Sequence, residues 1–142
     1  MSSPASDFNA QTIAEFRANG GKVGGPFAGA PLLLIHSVGA SSGESHINPV
    51  MYLPDKGRYI VFASKGGAPT NPSWYHNLKA HPDVTIEVGS ETVEVRAAEV
   101  QGAEHDQLYS RQAAAYPQFA EYQRKTTRLI PVMALTPTRA PS

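Results

Sequence analysis

The sequence predicts an α+β fold that is mainly β, with about six mostly antiparallel strands and three or four flanking helices. Three observations support this prediction. Short runs of aromatic and β-branched residues recur along the chain, hairpin-type turns link several of them, and glycine and proline occur 12 times each. An antiparallel sheet of this size can close, or nearly close, into a small barrel. The 142 residues, 41% of them hydrophobic, suffice for one domain with a substantial core.

The chain divides by composition into three parts. Residues 1–30 hold a leader, a short helix and a glycine-rich linker; residues 31–136 hold the predicted barrel; residues 137–142 form a tail. Within the first part, residues 1–7 are predicted to be a floppy leader and residues 8–19 a helix. The apolar face of that helix is thin, so we expect it to lie over a neighbour or a ligand opening rather than in the main core.

Strands are predicted wherever apolar, aromatic or β-branched runs stand between turn residues. Pro49 lies inside the second of them and indicates an edge or a bulge, because proline donates no ladder hydrogen bond. Proline and glycine in the Pro54-Asp55-Lys56-Gly57 stretch predict a hairpin turn. The predicted strands are 31–38, 45–53, 58–64, 84–88, 92–100 and 130–135, and the later helices are a short one after Pro72, then 104–115 and 117–127.

Composition and charge exclude several classes of protein. The formal net charge is zero and charged residues make up 17%, so nothing favours nucleic acid as a partner. No apolar run approaches the roughly 20 residues of a membrane span, and the first residues lack the pattern of a secretory signal. The absence of cysteine excludes disulfides and thiolate chemistry. We expect a cytosolic protein, with peripheral membrane association left open.

Motifs for hydrolysis or metal binding are missing. There is no Gly-x-Ser-x-Gly elbow, and the five histidines are scattered without an H-E-x-x-H or other dense spacing. We therefore predict no metal site and no serine triad.

The segment from Phe62 to Leu78 carries the strongest local signal. A strand ends at Ser64-Lys65-Gly66-Gly67, and a helix is predicted to begin after Pro72. Adjacent glycines let backbone N–H groups approach a ligand closely, and a strand, a turn and a helix start can bring several such groups together. An ordinary strand–turn–helix connection explains the pattern equally well, because no complete phosphate-loop motif is present.

The amino-acid motifs in this segment are more specific than its strand–turn–helix pattern. Ala63-Ser64-Lys65-Gly66-Gly67-Ala68-Pro69, followed by Pro72-Ser73-Trp74-Tyr75-His76-Asn77-Leu78 and His81-Pro82, resembles the deazaflavin-dependent nitroreductase and quinone reductase family of actinobacteria. The resemblance covers about residues 31–135. It implies a split β-barrel like that of FMN-binding proteins. It also implies an oxidoreductase in which reduced coenzyme F420 gives a hydride to a small-molecule acceptor such as a quinone, an enone or a nitroaromatic compound.

The resemblance also implies which residues hold the coenzyme. Ser64 matches a serine beneath the ring, and Lys65 with the amides of Gly66 and Gly67 would hold the polar edge of the ring. The strand that begins near His46 would run beside the ribityl and phosphate chain. The full set of implied coenzyme-binding residues is Ser41, Ser42, His46, Ile47, Asn48, Pro49, Val50, Met51, Phe62, Ala63, Ser64, Lys65, Gly66, Gly67, Trp74, Tyr75 and Asn77.

Three aromatic residues at a spacing of three, Tyr116, Phe119 and Tyr122, share one side of a predicted helix. On pattern alone an aromatic core stripe is the better interpretation. The resemblance implies instead that they form the substrate wall beside the coenzyme. Ser64, Tyr116 and Tyr122 are then the candidate catalytic residues, with Tyr122 or solvent as the source of a proton.

One loop departs from the family pattern. Family members usually carry arginine and lysine in a Gly-Arg/Lys-Lys-Ser/Thr-Gly word, whereas this chain reads Gly39-Ala40-Ser41-Ser42-Gly43-Glu44. The hydroxyls of Ser41 and Ser42 and the loop amides remain as donors for the coenzyme phosphate. We predict that binding of the acidic coenzyme tail is weaker and less sensitive to salt than in a typical member, or that the cofactor differs. FMN on the same fold and a non-catalytic coenzyme-binding module remain alternatives, and the protein is expected to be a monomer or a homodimer.

Overall fold

The computed structural model describes residues 4–22, 31–40, 42–68 and 70–138. Four α-helices and six strands occupy this part of the chain, and a 3-10 turn spans Lys65–Gly67. In chain order the elements are α1 (Pro4–Ala18), β1 (Leu32–Val38), β2 (Ser45–Asp55), β3 (Arg58–Phe62), α2 (Ser73–Ala80), β4 (Asp83–Val88), β5 (Glu91–Val100), α3 (Gly102–Ala115), α4 (Gln118–Arg124) and β6 (Val132–Pro137).

The six strands close into an antiparallel barrel in the order β1-β2-β3-β6-β5-β4, with β4 pairing back to β1. The long strand β2 is shared between two partners. Its residues up to Met51 pair with β1, and from Tyr52 onward they pair with β3. The predicted α+β barrel of mostly antiparallel strands is therefore confirmed.

Pro49 lies where β2 has no second partner. The Tyr52 N–H donates to Pro31 O at 3.1 Å, so the alternation along the strand turns the nitrogen of Pro49 away from β1. In the described part of the chain no strand pairs with that side of β2 before Tyr52. The missing N–H therefore costs no ladder hydrogen bond, as the sequence predicts for an edge position.

The core has three layers. The barrel interior holds alternate side chains of the strands, such as Leu33, Val61 and Leu135, and α2 adds Trp74 and Leu78 to it. A second cluster lies between the barrel and the two helices α3 and α4. A third, smaller cluster lies under α1, where the fully buried Phe16 packs against Leu32 and Leu34. None of the described helices is long and apolar enough to cross a membrane.

The largest differences from the predicted element boundaries are in α1 and α4, whereas the other boundaries agree to within two residues. Helix α1 begins at Pro4 instead of residue 8, so the prediction of a leader over residues 1–7 is wrong from Pro4 onward. Proline is favourable in a first helical turn, and this signal was not applied to Pro4. Helix α4 ends at Arg124, three residues before the predicted end. The predicted hairpin turn is present, with positive φ at both Lys56 and Gly57.

Helix α1 is fastened to the barrel by a charged cluster. Arg17 donates two hydrogen bonds to Glu87 of β4, from Nε to Oε1 at 3.1 Å and from Nη2 to Oε2 at 2.7 Å. The His36 Nε2 lies 2.5 Å from Oε2 of the same carboxylate. These hydrogen bonds, that from Arg17 first, hold the pKa of Glu87 below its ordinary value even though burial opposes the shift.

This cluster predicts a pH dependence of stability. Because the folded-state pKa of Glu87 is lowered, its contribution is present above the unfolded value of 4.5 and is lost as the pH falls through the folded value. Glu87→Gln is therefore expected to lower the urea midpoint at neutral pH. The gap to the wild-type midpoint should close as the pH falls below 4.5 and through the lowered folded-state pKa of Glu87. Equal midpoints at neutral pH would contradict this account of the cluster.

Candidate functional site

A groove of about 730 Å³ lies between α1, the β1–β2 loop, the start of β2 and the first turns of α2. Its size falls in the usual range for cofactor sites, roughly 300–1,000 Å³. Four elements contribute to its walls: Ala10 and Ile13 from α1; Gly39, Ala40 and Ser42 from the loop; His46, Ile47 and Asn48 from β2; and Ser73, His76 and Asn77 from α2. The expectation that α1 lies over a ligand opening agrees with this arrangement.

The β1–β2 loop closes on itself. The Gly39 N–H donates to Glu44 O at 2.7 Å, the Gly43 N–H to Gly39 O at 3.0 Å, and the Glu44 N–H to Ser42 Oγ at 3.2 Å. These amides are already used, so they are not the phosphate donors that the sequence analysis expected. The other predicted donor, Ser41, lies outside the described residues.

The buried Asn77 of α2 holds this loop in place. Its Oδ1 accepts a hydrogen bond from the Ala40 N–H at 3.0 Å, and its Nδ2 donates to Ser37 Oγ at 3.3 Å. Asn77 therefore shapes the groove by joining α2 to the end of β1 and to the first part of the loop. The sequence analysis placed it at the coenzyme, and the structure places it in the groove wall.

The groove carries no fixed charge. Among the described residues that line it there is no lysine, arginine, aspartate or glutamate, and its ionisable side chains are the imidazoles of His46 and His76. A ligand with hydroxyl groups and one phosphate fits the amide, hydroxyl and imidazole groups present. A long acidic tail finds no fixed cation among them.

The turn after β3 holds the second group of residues that the sequence predicts at the site. Ser64 is buried and its hydroxyl caps no backbone group. The Gly67 N–H donates to Ser64 O at 2.9 Å within the turn, so this amide is not free for a ligand, contrary to the sequence-based expectation. The exposed Lys65 directs its Nζ to Thr70 Oγ1 at 3.2 Å, and its φ of 47° is unusual for a residue with a side chain.

Gly67 brings this turn into contact with α4. A Cβ placed on Gly67 would lie 2.8 Å from Tyr122 O, closer than Cβ atoms approach other heavy atoms in proteins, and 3.1 Å from Tyr122 Cα, tighter than most Cβ contacts. Only glycine permits this approach, and its φ of +85° also requires glycine. The predicted Ser64 turn and the predicted substrate helix are therefore neighbours in the fold, although 58 residues separate Ser64 from Tyr122.

The aromatic stripe of α4 divides into a core residue and exposed flanks. Phe119 is 5% exposed and packs edge-on against Phe62, Tyr109 and Tyr122. Its side chain is a core residue, which corrects its assignment to the substrate wall. Tyr116 and Tyr122 are half-buried on the rim of the same cluster and remain available to a ligand.

Tyr109 anchors this cluster from α3. Its hydroxyl donates to Phe119 O at 2.6 Å, and burial raises the pKa of Tyr109 to about 12. The hydroxyl therefore stays protonated at neutral pH and ties the start of α4 to α3. Together with the contact of Phe119 with Tyr122, this hydrogen bond helps to hold α4 and its Tyr122 beside the Ser64 turn.

Several other predicted coenzyme residues have structural roles. Ala63 and Trp74 are buried in the barrel interior, and Phe62 is buried under α3 and α4, so none of these side chains reaches the groove. Tyr75 points to β5, where its hydroxyl donates to Glu99 Oε1 at 2.7 Å. Burial, followed by the Glu99 bond, raises the pKa of Tyr75 to about 12.

The β2 residues predicted to bind the coenzyme divide into those that line the groove and those that pack in the core. His46, Ile47 and Asn48 line the groove. Farther along the strand, Val50 packs on the barrel interior and Met51 packs on the clusters under α1 and α3. The half-buried Pro49 lies between these two sets. The alternation of side chains along a strand does not predict this division, because the groove is lined by three consecutive residues at the start of β2.

One residue near the site was missed altogether. Arg128, in the loop between α4 and β6, donates hydrogen bonds to the backbone oxygens of Ala63, Ser64 and Ala68 and to Asn71 Oδ1. An isolated arginine in a polar loop has no spacing that would indicate such a role. The groove-lining residues Ala10, Ser73 and His76 were also missed, since only the fold brings α1 and α2 together.

Comparison with known proteins agrees with these features. A family model described as F420H(2)-dependent quinone reductase matches residues 9–137. An F420H(2)-dependent quinone reductase of Mycobacterium tuberculosis is 40% identical over 129 residues, which cover 87% of this chain and 85% of that protein.

Two solved structures are similar over most of their length. A structure titled as an F420-H2 dependent reductase, FDR-A, shares 42% identity at a TM-score of 0.67 and covers 74% of this chain and 93% of its own. A structure titled as a domain-swapped dimer shares 37% identity at a TM-score of 0.70, covering 94% of this chain and 99% of its own.

Proposed function

Because the chain belongs to the F420H(2)-dependent quinone reductase family, we propose that its neutral groove holds the ribityl and phosphate chain of coenzyme F420 and that the Ser64 turn supports the ring. The protein is an oxidoreductase that uses this deazaflavin coenzyme. The reduced coenzyme supplies a hydride, and the substrate class that fits is a conjugated electrophile: a quinone, an enone or a nitroaromatic compound. A hydride and one proton together convert a quinone to its hydroquinone.

The protein residues bind and orient the two reactants and exclude water from between them. Ser42, His46 and Asn48 offer polar side chains to the coenzyme chain along the groove, and Asn77 holds the adjoining loop in place. Ser64 offers an uncommitted hydroxyl at the turn. Tyr116 and Tyr122 would flank the space where an acceptor meets the ring, and the Tyr122 hydroxyl is the proposed proton donor.

The observation that carries the proposal is the contact of Gly67 with Tyr122, since it brings the Ser64 turn next to the helix α4 that carries this tyrosine. The test is to mix anaerobic reduced F420 with the protein and menadione and to follow the absorbance of the coenzyme. We expect oxidation that depends on both protein and acceptor. Binding of F420 without oxidation by a quinone, an enone or a nitroaromatic acceptor would favour a non-catalytic module, and tight copurifying FMN would favour a flavin enzyme.

Removal of the Tyr122 hydroxyl tests the proton-donor role. Tyr122→Phe is expected to lower kcat by about 10- to 100-fold, since positioned proton transfer typically contributes 10²–10⁴-fold and solvent replaces part of it. The fold should persist, because the ring remains packed against Phe119. Tyr75→Phe is the matched control, since its hydroxyl contacts Glu99 on the far side of α2. Equal kcat values for the two variants would assign the proton to solvent.

The neutral groove predicts how salt affects coenzyme binding. We expect F420 affinity to change by less than about threefold between low and physiological salt, because no fixed cation lines the described part of the groove. Ala40→Lys is expected to tighten binding and to make it fall steeply with salt, whereas Ala114→Lys on the exposed face of α3 should do neither. Titration of F420 fluorescence at several salt concentrations measures both. A steep salt dependence of the wild type would refute a neutral coenzyme site.

The assembly state is proposed to be a monomer or a homodimer. One similar structure is titled as a domain-swapped dimer, and the first half of β2 offers an unpaired side in the described structure. Light scattering after gel filtration distinguishes the two states.

The division of the chain into parts that end at residues 30 and 136 stays a prediction, which limited proteolysis tests.

A further inference from the structure

Arg128 fastens the segment that contains the Ser64 turn. Its Nε donates to Ala68 O at 3.0 Å, its Nη1 to Ala63 O at 3.1 Å and to Asn71 Oδ1 at 2.7 Å, and its Nη2 to Ser64 O at 2.9 Å. One guanidinium thus spans nine residues of chain with four hydrogen bonds. A planar group with a rigid set of five donors suits this task, and an ammonium does not.

The partners of Arg128 are all neutral oxygens. No carboxylate in the described structure forms an ion pair with it, whereas Arg58, Arg111 and Arg124 each pair with an acid. Burial without an opposite charge lowers the pKa of the half-buried Arg128. Partial removal of a cation from water without a counter-ion is costly, and the oxygens that accept from Arg128 offset that cost. This arrangement holds the chain in one shape and does not serve as a surface ion pair.

Few backbone hydrogen bonds within the turn define its shape, although Gly67 also packs on α4. Within it, the Gly67 N–H donates to Ser64 O at 2.9 Å and the Ala68 N–H to Lys65 O at 3.2 Å. Lys65 has a φ of 47°, a conformation that a residue with a side chain adopts only when its surroundings impose it. Two of the acceptors of Arg128, Ala63 O and Ser64 O, directly precede Lys65.

We propose that Arg128 is a positioning residue that preorganises the Ser64 turn for the coenzyme ring. It acts through backbone oxygens and does not touch the coenzyme. With the turn already fixed, binding does not have to order it, so affinity rises without any new contact. The coenzyme part of this inference rests on the proposed function. The clamp, meaning the four hydrogen bonds from Arg128 to residues 63–71, is a property of the protein alone.

The first experiment measures the clamp without coenzyme. In hydrogen exchange of the free protein, Arg128→Met is expected to speed exchange of the Gly67 and Ala68 amides by about tenfold or more, with β4 and β5 unchanged. Arg124→Met is the matched control, because Arg124 is exposed and pairs only with Glu121. Unchanged exchange at Gly67 and Ala68 would overturn the clamp. If Arg128→Met does not fold, Arg128→Lys provides the same comparison.

The second experiment measures F420 affinity by fluorescence quenching. Arg128→Met is expected to raise the Kd by about tenfold and Arg128→Lys by about threefold, because one ammonium satisfies only part of the acceptor set. The fold-change should be equal at about 50 mM and 500 mM salt, since no direct contact with a coenzyme anion is lost. A loss that disappears at high salt, or an unchanged Kd, would overturn the inference. Failure of the wild type to bind F420 would instead refute the proposed function and leave the exchange result standing.

Discussion

Gly67→Ala is expected to destabilise the protein by about 2–5 kcal/mol. The positive φ costs a residue with a side chain about 1–2 kcal/mol, and the new methyl group, 2.8 Å from Tyr122 O, adds about 1–3 kcal/mol of overlap. The neighbouring atoms cannot easily yield, because two of the three nearest belong to the backbone of α4. Urea denaturation measures the loss of unfolding free energy.

The comparison with Gly57→Ala isolates the contact. Gly57 has a similar φ of +80°, and a Cβ there would meet nothing within 4 Å. Its substitution should cost only the backbone term of about 1–2 kcal/mol. Equal losses for the two variants would show that the approach of the Ser64 turn to α4 is not tight, and would weaken the geometric basis of the proposed site.

Phe119→Ala is expected to cost about 3–5 kcal/mol of unfolding free energy. The ring is 5% exposed and lies at the centre of an aromatic cluster formed by Phe62, Tyr109 and Tyr122. Truncation removes those contacts and leaves a cavity between the barrel and α4. A thermal or urea unfolding curve measures the effect.

Leu129→Ala serves as the control, because Leu129 is a large apolar residue of the adjoining loop that is 67% exposed. Its substitution should change the unfolding free energy by less than about 0.5 kcal/mol. Were Phe119→Ala to leave stability intact and weaken only the KM for the acceptor, the side chain would belong to the substrate wall after all.

The barrel could be predicted because its signals are local. Each strand is a run of apolar or alternating residues, and Pro49 and Gly57 carry backbone constraints that hold in any context. The resemblance supplied the coenzyme and the reaction class, and the family match confirms both.

The site was predictable only in part because its geometry depends on packing between distant elements. The family words in 62–78 correctly indicated an important segment, yet Trp74 and Tyr75 adjoin Asn77 in sequence and face other directions in α2. The groove wall from α1 and the clamp from Arg128 join residues at least 25 positions from their partners. No spacing rule within one segment detects such contacts.

The most direct test of the account is whether F420 occupies the groove between α1, β2 and α2. Ala10 lines it from α1, so Ala10→Trp should fill part of its 730 Å³, whereas Ala114→Trp places the same ring on the exposed face of α3. Titrating the coenzyme by fluorescence, we expect Ala10→Trp to raise the Kd by about tenfold or more and Ala114→Trp to match the wild type. Equal affinities for all three proteins would contradict the assignment of the groove to the coenzyme.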